Sequence, residues 1–367
     1  NNVAVGKSAL TANTSGANNT ALGFESLAAN TTGPSNTAVG HNTLADNTTG
    51  AENVAVGQNS LANNTTAGSN TAVGRGSMFT NTTGANNTGI GFDALHANTT
   101  GTANSAFGKG SLDANTTGNY NSAMGRDSLG ANTTGSSNTG IGFESLAANT
   151  TASENSALGM YALKANTTGD ENVAIGFRAL LTNTTGSGLV ALGKDALKAN
   201  TTGASNTALG NNAMAANTTG SSNVGIGAAA LDANTTGGDN VAVGVYAMST
   251  STTGSSNVAV GRQYSTTAGQ NTGLGYAALK ATTTGNYNTA IGTESLLANT
   301  TGDQNVAVGR RSMPVNTTGS QNVSVGMDCM EANTTGDKNV AMGSNTLKAS
   351  TTGHHNTAIG YTALASN

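Results

Sequence analysis

The stretch from Asn36 to Glu52 reads N-T-A-V-G-H-N-T-L-A-D-N-T-T-G-A-E, and at Asn53 the opening word returns as N-V-A-V-G. The interval is 17 residues. The glycine closing the word recurs without a slip from Gly6, Gly23 and Gly40 to Gly261. After one interval of 14 residues it resumes at Gly275 and runs to Gly360, giving 22 copies of the word. A strict period in this range marks a solenoid, in which each unit buries its apolar side against its neighbours.

Composition alone would mislead. Charged residues make up 9% of the 367 residues and hydrophobic ones 36%, with 51 Gly, two Pro and no Trp. Without the period, that profile fits a low-complexity segment too poor in large apolar groups to offset the cost of ordering the backbone. The net charge of -4 provides no basic surface for nucleic acid. No apolar run approaches the roughly 20 residues of a spanning helix, so membrane insertion is not expected. The single cysteine, Cys329, excludes an internal disulfide framework. Both ends fall inside a repeat and lack the atypical caps that usually close a solenoid, so the chain reads as an excerpt of a longer fibre.

Each unit is numbered here from its closing glycine as position 0. Positions -3 to -1 carry Val, Thr or Ser, then Ala or Gly, then a larger apolar residue, as in Val3-Ala4-Val5 and Thr88-Gly89-Ile90. Three alternating positions predict a short strand. The large residue at -1 is expected to face the interior of the coil, and the small one at -2 to face a neighbouring chain. Position +4 is a constant hydrophobe (Leu10, Leu27, Leu44, Met78), +5 is variable and +6 is usually Ala. This pattern predicts a second short strand, with +4 and +6 inward and +5 in water. The unit closes with Asn-Thr-Thr-Gly, as at Asn30 to Gly33, whose Asn and Gly suit turns through their tolerance of positive φ. Stacked Asn13, Asn30, Asn47, Asn64 and Asn81 are expected to form an amide ladder. Ala67 and Ala152 replace the last glycine in two units, so that position does not require a glycine-only φ.

Two strands and two turns in 17 residues predict an all-β chain, a parallel β-solenoid (β-roll) of about 22 coils. At a strand spacing near 4.8 Å the coils would stack to roughly 100 Å. Helix is disfavoured because glycines and polar turns leave no uninterrupted helical window. The organisation expected is regular repeats over residues 1–261, a shortened coil over 262–275 and regular repeats over 276–367. The short coil carries Tyr264-Ser265 where the inward Leu should be, which fits a deletion tolerated in a surface turn. At Leu189 the Asn of the word is lost, breaking one Asn stack, while Pro34 and Pro314 fall at variable turn or outward positions.

Few residues invite chemistry. His41 and His96 occupy different unit positions, and His354-His355 lies in an exposed turn, so no metal site is expected. Cys329 replaces a small residue and reads as a buried, inert thiol. No nucleophile elbow, P-loop, paired-carboxylate cleft or calcium-roll pattern is present. No catalytic or cofactor-binding residue is assigned, and an enzymatic role is not expected. The Asn-Thr-Thr turns match the N-glycosylation pattern automatically. The rows beginning Thr31-Thr32 and Thr48-Thr49 suggest an ice-binding face, though they lie in a turn. Position +1 is long or aromatic (Lys7, Phe24, His41, Arg75, Phe92), and +2 is often acidic (Glu25, Asp93, Asp127). Such stems can lie over a neighbour while their tips reach water, and this edge is the candidate surface for packing between chains or for a receptor or glycan.

The words N-V-A-V-G at Asn53 to Gly57, N-V-A-I-G at Asn172 to Gly176 and N-T-A-L-G at Asn206 to Gly210 resemble the head repeats of trimeric autotransporter adhesins. The longer unit with A-L-x-x-N-T-T-G, as at Ala162 to Gly169, is similar to shaft repeats of phage and virus tail fibres and of bacterial proteins ending in an intramolecular chaperone. The resemblance covers essentially the whole chain. It implies left-handed parallel β-rolls, three chains side by side, displayed at a cell surface or on a virion to bind a host-surface protein or glycan. The head unit of that family is usually 14 residues, which only the Gly261 to Gly275 interval matches. Anchor, stalk and chaperone segments are absent from the sequence. The expectation is a structural extracellular fibre segment that self-associates as a homotrimer, the alternative being a filament or matrix protein that polymerises.

Overall fold

The computed structural model describes residues 1–262 and 268–366, so Tyr264 and Ser265 of the shortened coil lie outside the described residues. The chain forms two compact units, Asn1–Gly188 and Leu189–Asn367. Unit 1 holds strands β1 (Val3–Val5) to β11 (Val173–Ile175), and unit 2 holds β12 (Val190–Leu192) to β22 (Thr357–Ile359). Every strand is three residues long, and among the described residues there is no helix. In unit 1, β3 (Thr37–Val39) pairs in parallel with β4 (Val54–Val56), setting Thr37, Ala38 and Val39 opposite Val54, Ala55 and Val56. In unit 2, β13 (Thr207–Leu209) pairs in the same way with β14 (Val224–Ile226). The pairing joins residues 17 apart, so each unit is a parallel β-solenoid built from the repeat.

The strand faces are the reverse of expectation. Ala21, Ala38 and Ala55 at -2 are fully buried, whereas Val5, Leu22 and Met124 at -1 are 56%, 47% and 51% exposed. The cause is the narrow interior. Side chains from the opposite side of the coil fill the space beneath the strand: a Cβ added at Gly89 would meet Ser77 Oγ and Met78 Cε, and one at Gly225 would meet Met214 Cγ. Only Ala, Gly or Ser fits there, and the larger residues at -3 and -1 are left on the outer face.

Among the described residues the second strand does not form. Residues +2 to +6 make a turn in which +2 and +4 are left-handed, with φ of 54° at Glu25 and 52° at Leu27. The +4 residue still points inward, and Leu27, Leu44, Leu61 and Met78 are completely buried. The +6 alanines, such as Ala29 and Ala97, are only half-buried. The left-handed residues keep the backbone amides directed along the axis. Glu25 N–H donates to Lys7 O of the previous coil at 3.0 Å, and Leu27 N–H donates to Thr43 O of the next coil at 3.0 Å. The turn thus joins the inter-coil ladder without being a strand. Neither Asn nor Gly of the Asn-Thr-Thr-Gly turn has a positive φ, and the third left-handed position is the residue before the word's Asn, as at Ser35 and Glu52. That agrees with the tolerance of Ala67 and Ala152. The glycine at position 0 does need its freedom: Gly57 has φ 126°, and a Cβ there would meet the Gly74 carbonyl at 2.7 Å.

About half of the buried residues are polar. The asparagine ladder is present, with Asn30 Nδ2 donating to Asn13 Oδ1 at 2.9 Å, Asn47 to Asn30 at 3.0 Å and Asn64 to Asn47 at 2.9 Å. A second file comes from the word's Asn: Asn36 Oδ1 accepts the backbone N–H of Asn53 at 3.0 Å, and Asn36 Nδ2 donates to Gly50 O at 2.8 Å. Leu189 is fully buried at this asparagine position. At +3, Ser26 Oγ donates to Ala38 O and Thr43 Oγ1 to Gly57 O, each at 3.0 Å. Pro34 is exposed, but Pro314 is buried at +5 rather than outward, where its carbonyl accepts the Ala298 N–H at 3.0 Å.

Candidate interaction surface

The outer face of the strands carries two parallel files, at -3 and -1. In unit 1 the -1 file includes Val5, Leu22, Val56, Ile90, Phe107 and Leu158, all exposed. In unit 2 it includes Leu192, Leu209, Leu274, Ile291, Met342 and Ile359, all exposed. The -3 file adds Val3 and Val54 in unit 1 and Val190 and Val258 in unit 2. In-register pairing places each apolar residue beside its equivalent in the next coil, so every unit presents a continuous apolar strip. Soluble monomers seldom leave such strips open to water. Around Met124 the strip dips into an apolar notch of about 150 Å³, lined by Ser105, Phe107, Met124 and Ile141.

Beside this strip, across the position-0 glycines, runs the +1 file. Its side chains cover one another as the stems and rings predicted. Phe24 and His41 stack with ring centroids 5.2 Å apart, and Lys7 Nζ lies 5.8 Å from the Phe24 ring. Phe92 is flanked by Arg75 at 5.4 Å and Lys109 at 5.7 Å, and Arg126 covers Phe143 at 4.4 Å. Each such contact contributes about 0.5–1 kcal/mol at an exposed site. Among the acidic +2 residues, Glu144 meets Lys164 of the next coil at 2.6 Å and Asp328 meets Arg310 of the previous coil at 3.6 Å, while Asp127 pairs within its own coil with Arg126 at 3.4 Å.

The other candidates separate. His41 stacks on Phe24, His96 stacks on Phe79, and His354 Nδ1 accepts the Asp337 backbone N–H at 3.0 Å. Among the described residues no three His, Cys, Asp or Glu side chains converge on a metal-sized site. Cys329 is fully buried, its Sγ donates to Ala341 O at 3.4 Å, and burial pushes its thiol above the ordinary value. The thiol takes the role that Ser plays in other coils. Burial also raises the carboxyls of Asp232 and Asp113 above their usual value; for Asp113, His96 opposes the effect while Asp93 and Asp127 add to it. Asp232 lines an open groove of about 370 Å³ with Asp195, Lys198 and Asn212.

The turn sequons are closed. In the Asn-Thr-Thr turns, Asn30, Asn47 and Asn64 are fully buried with their amides engaged, so these positions offer no acceptor nitrogen for a glycan. The first threonine of the turn is half-buried, and its hydroxyl donates to the next coil, as Thr31 Oγ1 does to Thr48 O at 3.0 Å. Only the second, such as Thr32 and Thr49, is exposed. One surface row had no counterpart in the sequence analysis. At +11, the backbone N–H is met by the side chain of the next coil: Thr102 by Asn119 Oδ1 at 2.8 Å, Asn119 by Ser136 Oγ at 3.0 Å and Ser153 by Asp170 Oδ1 at 2.7 Å. The clue lay in the drift of that position toward Ser, Asn and Asp, all of which supply an oxygen acceptor. No helix among the described residues is long and apolar enough to cross a membrane. No protein-family model matches the chain, and no curated protein matches it.

Proposed function

We propose that the chain is a structural fibre segment, non-enzymatic and extracellular, that associates laterally with two further copies of itself through the outer strand face. The observation that carries this reading is the apolar strip along -3 and -1. A side chain such as Val56 or Ile90 gains nothing from facing water, whereas a second copy offers the same strip, in the same spacing, to cover it. Association would leave the variable +1, +2 and +5 positions on display as the face toward a cell-surface protein or glycan.

Sedimentation equilibrium tests the proposal. The 35.8 kDa chain should run at three times its mass. Val56→Asp combined with Ile90→Asp should release monomers that keep their β-sheet circular dichroism. A wild-type chain that stays monomeric at tens of micromolar sinks the proposal, and indefinite filaments in micrographs would replace it with end-to-end polymerisation.

A further inference from the structure

In unit 1 the bulk of the -3 file is matched to that of the -1 file. Serine stands at -3 only as Ser105, Ser122 and Ser156, in β7 (Ser105–Phe107), β8 (Ser122–Met124) and β10 (Ser156–Leu158). Those strands hold Phe107, Met124 and Leu158 at -1, and Phe107 is the one aromatic residue of that file. The valines at -3, Val3, Val54 and Val173, stand instead beside Val5, Val56 and Ile175. Phe107 is 37% exposed and Met124 is 51% exposed, so much of each side chain faces water in the single chain.

Space lies directly beside these two side chains. The apolar notch of about 150 Å³ is bounded by Ser105, Ser122 and Ala123 and by Phe107, Met124 and Ile141. A cavity of about that volume holds one benzene-sized ring. Phe107 forms one wall of the notch without filling it, so the matched bulk does not serve packing within one copy. Elsewhere the strip does little to fix its own height. Val39, Val56 and Val73 follow one another at -1, so a neighbouring copy moved by one coil meets the same side chains again. Such a surface specifies register weakly. A closed ring needs it specified, because an offset of one coil at every contact climbs around the axis into an open helical stack.

We infer that Phe107 and this notch set the axial register between copies, the Phe107 ring of one copy seating in the notch of the next at the same coil level. The inference rests on the lateral association proposed above. In-register pairing sets Ser105 opposite Ser122 and Phe107 opposite Met124 within each chain, so the serines and the bulky pair lie on adjacent coils. A shift of one coil, about 4.8 Å, then removes the room that serine provides. In one direction it sets Phe107 against Thr88, and in the other it sets Met124 against Thr139.

The test reads mass and register separately. A spin label on Thr117→Cys, an exposed position, in a chain that also carries Cys329→Ser reports distances between copies by double electron–electron resonance. With the native strip, the labelled chain should run at three times its mass and give one narrow distance. The levelled variant Ser105→Thr/Phe107→Val/Ser122→Thr/Met124→Val makes both strands repeat Thr37-Ala38-Val39. It should still associate, with a broadened distribution that reaches longer distances. A levelled variant that keeps both the mass and the narrow distance overturns the inference, as does a native-strip trimer with several distances. A native-strip monomer instead removes the lateral association itself, and this inference with it. Should the levelled chain not fold, the single variant Phe107→Val is read in the same way: a broadened distribution supports the register role, and an unchanged narrow distance overturns it.

Discussion

Asn64 shows how much one side chain does in this fold. Its Nδ2 donates to Asn47 Oδ1 at 2.9 Å and to Ala67 O at 3.0 Å, and its Oδ1 accepts from Asn81 at 2.9 Å. Asn64→Ala leaves Asn47 Oδ1 without its donor and Asn81 one acceptor short, both in the interior. An orphaned buried polar group costs about 1–3 kcal/mol, so the variant should lose about 2 kcal/mol or more in urea denaturation. Thr66→Ala, two residues away on the surface, should stay within about 0.5 kcal/mol of wild type; equal losses would contradict the buried ladder. Asp113 carries the opposite sign. Burial, with Asp93 and Asp127 nearby, holds its folded pKa above 3.8. The folded state then binds the proton more tightly than the unfolded state, so this group's stabilising contribution is full below 3.8 and is lost as pH rises through the folded pKa. Asp113→Asn should therefore be more stable than wild type at pH 7, with an advantage that shrinks on acidification toward 3.8. Urea midpoints across that range check it, and a variant weaker than wild type at pH 7 refutes it.

A single strand decides which way the coil faces. Ala55→Leu places a large side chain under β4, where the interior is already filled, at an overpacking cost of about 1–3 kcal/mol. Val56→Thr, one residue on, should leave the folding of the isolated chain nearly unchanged. If the expected facing had been right, the two effects would be exchanged, and thermal denaturation of both variants distinguishes the cases. Gly57→Ala should be worse than Val56→Thr, because its φ of 126° is costly for alanine and the new Cβ meets backbone that cannot move alone. The strands, their register and the burial of Leu27, Leu44 and Leu61 were legible because each follows from the period. The facing was not, since alternation states which residues share a side and leaves open which side is inside. That depends on the width of the interior, set by Leu, Ser and Asn side chains from other parts of the coil. The missing second strand has a similar origin: Leu27 and Glu25 are left-handed, which no intrinsic preference of Leu or Glu announces. For the same reason the aromatic and cationic +1 edge was visible as a surface, while the apolar strip beside it was assigned to the core.

At the scale of a whole unit, stability is a sum over neighbouring coils. Every coil in unit 1 meets only the coils before and after it in the strand pairing, and the hydrogen bonds of the turns follow the same rule. A segment of one full period can then be removed without changing what the survivors face. Excising residues 58–74 joins Gly57 to Arg75, brings Asn47 under Asn81 and Leu44 under Met78, and leaves each file continuous. That variant should fold cooperatively, with a circular dichroism spectrum like wild type and a midpoint shifted only slightly. Excising residues 58–66 removes about half a period. It brings Leu44 against residues of a different part of the coil and sets buried asparagines opposite apolar neighbours, so the chain on either side of the join should lose protection from hydrogen exchange. Two domains packed through ordinary cores would tolerate neither excision, and a set of independent short motifs would tolerate both. Only a stack that reads its own sequence modulo 17 distinguishes the two, and equal outcomes for both variants would contradict the solenoid at the level of the unit.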